Sequence, residues 1–235
     1  MRSATGRGLT GLAVLSLLVL GPLAACGPLD PDGGTTKVGS APYEQGSGRL
    51  ATASRTVGSF HAISAAQGVQ VDVATGSPAI TVTADDNLLP HVTTSVVDGV
   101  LVVDVAGSIE THHRLKVSIA AATAPDGLSA STGASVDSAV VASGALSVAA
   151  STGGQVHATG RVDSLTVTGA AGGSADLRDV EARVARIDLN AGSSAHVNVK
   201  EAVTGTCSAG ATVVLRGKGS TAGLGVDRTS TLTHE

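Results

Sequence analysis

The feature that most constrains the fold is a repeat in the second half of the chain. Glycine followed by small residues recurs at positions 133, 153, 172 and 192, so the intervals are 20, 19 and 20. Between these glycines, apolar residues alternate with polar ones at 146–148, 165–167 and 187–189. Such alternation is typical of a strand with one buried face. Each unit is therefore predicted to hold at least two short strands joined by glycine turns.

A β repeat of this period is typical of a solenoid, in which each coil buries its apolar face by stacking on its neighbours. Successive coils would lie about 4.8 Å apart, the ordinary spacing between strands. One Phe, one Tyr and no Trp suit a narrow interior, and the 31 glycines allow tight corners. The alternative is that a composition biased toward Ala, Ser and Gly imitates a repeat. We expect an all-β fold with a parallel solenoid.

Before the repeat, from Val57 to about Ala122, short alternating runs are separated by turn residues. Val69, Val71 and Val73 form one such run. Residues 96–101 place an Asp-Gly pair between apolar residues, which is the strongest short-range signal of a hairpin. This part of the chain is predicted to form a β-meander or hairpin lobe N-terminal to the solenoid.

The segment 1–25 has the pattern of a signal peptide. Arg2 and Arg7 precede an apolar run at 9–20, which is shorter than the roughly 20 residues that span a bilayer. The run ends in Leu-Ala-Ala-Cys at 23–26, which resembles the bacterial lipobox, in which the cysteine thiol receives a diacylglyceryl group. An ordinary secretory cleavage site with a chance cysteine, or an uncleaved anchor, are the alternatives. We expect Cys26 to be acylated, palmitate being a typical acyl chain.

A diacylated Cys26 would attach the protein durably to the cell membrane at its extracytoplasmic face. The chain then divides into a signal peptide at 1–25, a lipidated Cys and flexible tether at 26–55, a domain at 56–219, and a polar tail or cap at 220–235. The tether is rich in Gly, Pro, Ser and Thr. A flexible chain of that length spans roughly 30 Å.

Cys207 is the second of two cysteines, so a disulfide framework is impossible once Cys26 carries lipid. It lies among small residues with no histidine nearby in sequence. We predict a buried, small apolar residue, with a reactive thiol as the alternative.

Composition argues against nucleic acid as a partner. The net charge is −4, so there is no cationic footprint, and only 1% of residues are aromatic, which leaves almost nothing to stack on a base.

Candidate chemical groups are few. Asp85, Asp86 and Asn87 carry oxygen ligands, but Leu88, Leu89 and Pro90 follow them, so a turn or helix cap is favoured over a Ca²⁺ loop. His112 and His113 are adjacent and would point to opposite faces of a strand, whereas in a loop both could approach one metal.

His157 and His196 occupy equivalent repeat positions about 10 Å apart, by the strand spacing, which is too far to share one ion. No nucleophile motif occurs in a strand-to-helix context. We therefore predict no metal site, cofactor or catalytic residue, and leave the binding residues unknown.

A set of motifs lies at 57–63, 69–73, 84–89 and 97–101, with a closing stretch at 192–217. Together these motifs resemble the "putative auto-transporter adhesin, head GIN domain" family. The resemblance covers roughly residues 57–219, although the Gly-Ile-Asn tripeptide of the family name is missing. The resemblance implies a right-handed β-helix-like fold in envelope proteins, often lipoproteins, with no established catalytic residues.

These observations together favour a non-enzymatic, lipid-anchored envelope protein that displays a solenoid for adhesion or scaffolding. Its partners would be the membrane through Cys26 and an envelope protein or glycan. Two alternatives remain. One is a structural module that associates with copies of itself through open strand edges. The other, by analogy of fold alone, is a carbohydrate-active β-helix enzyme.

Overall fold

A computed structural model of the protein describes residues 43–139 and 144–235, and all of their regular structure is β. Strands account for 65% of these residues, and no α-helix occurs among them. The strands are β1 Glu44–Gln45, β2 Leu50–Arg55, β3 Ala62–Ala65, β4 Gln70–Thr75, β5 Ala79–Asp85, β6 Val92–Val97, β7 Val100–Val105, β8 Ile109–Glu110, β9 Lys116–Ala121, β10 Gly127–Ala130, β11 Ser135–Ser138, β12 Ala145–Ser151, β13 Gln155–Ala170, β14 Ser174–Leu189, β15 Ser194–Cys207, β16 Thr212–Arg216, β17 Ser220–Val226 and β18 Thr231–His234.

The strands pair in two parallel stacks that form a solenoid of about five turns, so the prediction of an all-β solenoid is confirmed. The first stack runs β9, β4, β11, β13, β14, β15, β16, β18, and the second runs β7, β3, β10, β12, β13, β14, β15, β17. The long strands β13, β14 and β15 turn a corner and contribute to both stacks. Paired residues in neighbouring coils are 17 to 20 positions apart from β11 onward.

In each coil, a tight turn connects the strand of the second stack to the strand of the first stack, and these turns are stacked in a column. Each turn holds two residues with positive φ, the second of which is glycine, as in Ala171 at 47° and Gly172 at 74°. Within the repeat, each of these glycines donates its N–H to a carbonyl in the next turn, for example Gly172 to Ala191 at 3.0 Å. The repeat glycines at 133, 153, 172 and 192 are the turn glycines, and Gly68 and Gly210 extend the column at both ends.

The core consists of aligned aliphatic side chains, and its narrow bore explains the lack of aromatics. Val136, Val156 and Ala175 follow one another in the first stack and are at most 2% exposed. In the second stack, a small residue in one coil lies beside a large side chain in the next coil. A Cβ on Gly169 would lie 2.6 Å from a methyl carbon of Leu189, so the glycine makes room for the leucine of the next coil.

The N-terminal lobe is continuous with the solenoid. β3 pairs in parallel with both β7 and β10, and β4 pairs with both β9 and β11. The coil made of β7 and β9 therefore lies outside the coil made of β3 and β4, although it comes later in the chain. Beyond it, β6 runs antiparallel to β7, β5 to β9, and β2 to β5. The Asp98-Gly99 hairpin between β6 and β7 forms as predicted, with positive φ at both residues.

Two stretches that the sequence placed outside the domain contain strands. β1 and β2 lie within the predicted tether at 26–55, where β1 pairs with β8 and β2 pairs with β5. Leu50, Thr52 and Ser54 alternate with less exposed residues in β2, which is why this polar stretch can form an edge strand. Residues 220–235 form β17 and β18 of the last coil. The signal peptide and Cys26 lie outside the described residues.

Candidate functional site

A regular column of titratable side chains lies on the outer surface of the first stack. Successive coils place these residues side by side in the order Asp72, Asp137, His157, Asp176 and His196. Each follows an inward residue by one position, and because strand side chains alternate, all five point outward. This surface of the first stack, from β9 to β15, is called the groove face below.

Ion pairs and close polar contacts fix several of these side chains. Lys116 Nζ lies 2.6 Å from Asp72 Oδ2, and His157 Nδ1 lies 3.3 Å from Asp137 Oδ1. Partial burial opposes ionisation of Asp72, but hydrogen bonds from Lys116 and Gln70 outweigh it and lower the pKa of the carboxyl group. Asp72 therefore remains charged well into the acid range.

Arg178 holds the far end of the column. Its Nε lies 2.8 Å from Asp176 Oδ1, and its guanidinium also contacts His196 Nδ1. Burial again opposes ionisation of Asp176, and the hydrogen bonds from Arg178 outweigh it and lower the pKa of Asp176. The column thus offers fixed carboxylates, imidazoles and a guanidinium at the strand spacing.

Three surface grooves lie on the groove face, and Asp137 lines all of them. The first, about 430 Å³, is lined by small residues that include Ala74, Ala120 and Ala139, with Asp72 and His157 among the others. The second and third have volumes of about 330 Å³ and 480 Å³, and are lined by polar residues such as Gln155. The face therefore combines a shallow groove lined by small residues with adjoining polar grooves, which suits an extended polar ligand or a protein surface.

The sequence located part of this column. His157 and His196 do share one face, with Asp176 in the coil between them. Asp137 and Asp176 stand at the same repeat position and could have been found by aligning the repeats. Asp72 could not, because its strand precedes the repeat and lies far from its partner Asp137 in the sequence.

A second polar cluster lies at the N-terminal end of the solenoid. The carboxylate of Asp85 is fully buried and accepts hydrogen bonds from Thr111 Oγ1 at 3.0 Å, His112 N at 3.2 Å and His113 Nδ1 at 2.9 Å. His113 first, then Thr111 and His112, lower the pKa of Asp85 against the opposing effect of burial. His112 and His113 lie in a bend rather than a strand, and only the second binds this carboxylate through its ring.

The segment 44–49 lies over this cluster. Gly46 sits directly above Asp85, since a Cβ there would be 2.2 Å from Asp85 Oδ2. Asn87 Nδ2 donates to Glu44 Oε1 at 3.0 Å and to the Gln45 carbonyl at 2.9 Å. Asp86 accepts from Asn87 N at 2.8 Å within a turn, as a cap would, and pairs with Arg49. The segment 44–49 together with 85–87, His91 and 111–113 is called the clasp.

Another cavity, of about 460 Å³, opens near the start of β5. It is lined by Phe60, Pro78, Ile80 and residues 55–59 and 120–123, among others. Arg55 at its edge donates to the Leu89 carbonyl at 2.9 Å.

Cys207 is buried at 2% exposure in the inward column between Leu189 and Val226, and it forms no disulfide. Burial, followed by the charges of Asp188 and Asp227, raises the pKa of its thiol. The thiol is therefore shielded and protonated at neutral pH.

Within 43–139 and 144–235, no three His, Cys, Asp or Glu side chains are placed to hold a metal ion. The same residues include no helix with the length and hydrophobicity that crossing a membrane requires.

Comparison with known proteins relates the chain to one family. The model of a family described as "Putative auto-transporter adhesin, head GIN domain" matches residues 59–219. A search of curated proteins gives no match.

The solved structures that share the fold include two crystal structures. One, described as a putative adhesin from Bacteroides fragilis NCTC 9343, is 14% identical, with a TM-score of 0.66 over 81% of this chain and 99% of that chain. The other, described as a putative adhesin from Parabacteroides merdae ATCC 43184, is 17% identical, with a TM-score of 0.54 over 83% of this chain and 100% of that chain.

Proposed function

We propose that this chain, which belongs to the "putative auto-transporter adhesin, head GIN domain" family, is a lipid-anchored envelope protein that binds a partner through its groove face. Its adhesin-like domain has a β-solenoid fold, and the family and the two crystal structures above are described as putative adhesins. We propose a non-enzymatic role for the same reason.

One observation carries the choice of face. The three grooves adjoin one another on the same stack, share Asp137, and follow a column of side chains that ion pairs hold in place. Side chains already held by ion pairs lose less conformational freedom on binding. The hydrogen-bond donors and acceptors of the column repeat at the regular strand spacing. An envelope glycan or an extended protein segment would match this spacing.

Attachment to the membrane is proposed through Cys26. The lipobox-like stretch at 23–26 and the short apolar run before it support this attachment. Mass spectrometry of the mature N-terminus should detect an acylated Cys26, and an intact Met1 or an unmodified Cys26 would contradict it.

The binding role is tested with the full chain and isolated envelopes, by comparing variants. Asp137→Asn combined with His157→Gln should weaken binding by tenfold or more, because both residues line the first groove. Asp163→Asn, an exposed residue that lines none of the three grooves, is the matched control and should bind as the wild type does. Equal binding by all three proteins would exclude the groove face as the binding surface.

Self-association is the second candidate function, and the last coil favours it. β17 carries no charged residue, its Val226 is 37% exposed, and β17 and β18 end their stacks. An uncharged edge strand is a template for pairing with another chain. Sedimentation at increasing concentration would show assembly if this edge pairs, and a constant monomer mass would exclude it.

A further inference from the structure

The imidazole of His91 lies between two groups that can only accept hydrogen bonds. Its Nδ1 lies 2.8 Å from the carbonyl oxygen of Ala106, and its Nε2 lies 2.8 Å from Oε2 of Glu44. A neutral imidazole donates from only one of its nitrogens. Both contacts are hydrogen bonds only if both nitrogens carry a proton, so the closed clasp requires His91 to be positively charged.

His91 and Asn87 hold β1 in place through their side chains. His91 binds Glu44, and Asn87 binds both Glu44 and the Gln45 carbonyl. β1 is two residues long and pairs only with β8, through Glu44 N to Ser108 O at 3.0 Å and Gly46 N to Glu110 O at 2.7 Å. An isolated pair of strands this short is marginal in water. The side chain of Glu44, bound by His91 and Asn87, therefore supplies much of the attachment.

Glu44 is the counter-ion of His91. The other titratable groups nearby have different partners. Asp86 lies 3.6 Å from Arg49, and Asp85 accepts from the ring of His113 and the backbone of His112. Glu110 of β8 lies beside Gln45. The Ala106 carbonyl first, and then Glu44, raise the pKa of His91 above its ordinary value of 6.5. A raised pKa in the closed form means that closure is fully favoured below pH 6.5 and is lost as the pH rises through the raised value.

We propose that the clasp is a pH-operated latch on the segment that leads to the N-terminus, closed when His91 is charged and opened when it loses its proton. Opening frees residues 43–46, whereas Ser47 and Arg49 stay bound to Asn87 and Asp86. Four extended residues add about 13 Å of reach, at about 3.3 Å per residue. The latch would therefore lengthen the connection N-terminal to the domain in alkaline conditions, whether or not the groove face binds a partner.

Hydrogen exchange of the full chain, corrected for the intrinsic effect of pH, tests the latch. The Glu44 and Gly46 amides report on the β1–β8 pair directly. Their protection should fall by up to tenfold per pH unit between pH 6.5 and the raised pKa of His91. In this range the closed form of the clasp holds one more proton than the open form. Core amides such as that of Val167 should show no such change. Constant protection of Glu44 and Gly46 from pH 6 to pH 9 would overturn the proposal.

Variants assign the effect to His91. In His91→Gln the protection of both amides should be low and independent of pH, while core protection shows that the protein has folded. Glu44→Gln keeps an acceptor but removes the charge, so the pH dependence should shrink. His234→Gln, an exposed position in β18 outside the clasp and the groove face, is the matched control and should behave as the wild type does. A pH dependence that persists in His91→Gln would assign the titration to another group and refute the latch.

Discussion

Two adjacent glycines, Gly172 and Gly173, are required for opposite reasons, and substituting each by alanine separates these reasons. Gly172 has a φ of 74°, and no atom lies within 4 Å of the position that a Cβ would take. Gly173 has no positive φ, but a Cβ there would lie 2.1 Å from the carbonyl oxygen of Ala150 in the preceding coil. The first substitution therefore meets backbone strain in open space, and the second meets a steric clash.

The two costs differ in size. The left-handed conformation costs alanine about 1–2 kcal/mol, and the stiffer unfolded chain returns about 0.4–1 kcal/mol. Gly172→Ala should therefore lower the free energy of unfolding by about 1 kcal/mol. In Gly173→Ala, the backbone of one coil must move by about 0.9 Å to restore a contact of even 3.0 Å. Overpacking of a core costs about 1–3 kcal/mol, and a backbone oxygen cannot rotate away, so we expect about 3 kcal/mol.

Thermal unfolding followed by circular dichroism measures the difference. At about 2–4 °C per kcal/mol, Gly172→Ala should lower Tm by about 3 °C and Gly173→Ala by about 9 °C. Gly153 and Gly154 repeat the test, since Gly153 has a φ of 72° and open space, and a Cβ on Gly154 would lie 2.3 Å from the Ala130 carbonyl. Equal losses within each pair, or a larger loss at Gly172 or Gly153, would refute the assignment of steric contact to the second glycine.

Three further predictions concern single side chains. Cys207 should resist alkylation in the native protein at pH 8 and react only on unfolding, because it is buried and its pKa is raised; rapid native labelling, measured by mass, would contradict this. Asp227 accepts hydrogen bonds from Ala209 N and Thr229, and these lower its pKa, so its contribution to stability is present above about pH 3.8 and is lost as the pH falls. Urea unfolding at pH 3 and pH 7 should therefore show a smaller pH effect in Asp227→Asn than in the wild type. Cys26→Ala should abolish acylation and release the protein from the membrane fraction, as detected by fractionation.

The repeat carried most of the fold from the sequence alone. Turn glycines at nearly constant intervals place every coil from β11 to β15, because in this part of the chain neighbours in sequence are neighbours in space. The Asp98-Gly99 hairpin is equally local. Gly210 was missed as a turn because the interval that precedes it is shorter than the others, and Gly68 because its coil precedes the repeat.

The functional surfaces were harder to predict, for a physical reason. The column of the groove face combines residues of equivalent repeat position with Asp72, and no short-range pattern relates Asp72 to Asp137. The clasp unites Glu44, Asp85, His91 and His113, which come from separate strands and turns. The spacing of residues in the sequence indicates which of them share a strand face. A polar cluster at the end of a solenoid depends instead on which distant strands and turns meet there.

The order of the first coils shows where this limit lies. β3 pairs with β10, which is far from it in the sequence, and the coil of β7 and β9 occupies the outer position. Lengthening a connecting loop about threefold costs only about 1 kcal/mol, at about 0.6 kcal/mol per doubling. Burying one side chain such as Ile63 or Leu101, both at most 1% exposed, contributes about 1.5–3 kcal/mol. Loop length therefore does not decide which coil stacks on the repeat. Apolar content does not decide it either, since β7 is longer and more apolar than β3 and yet lies outside it. The antiparallel strands β5 and β6, which can pair only at the end of a stack, keep β7 and β9 outermost.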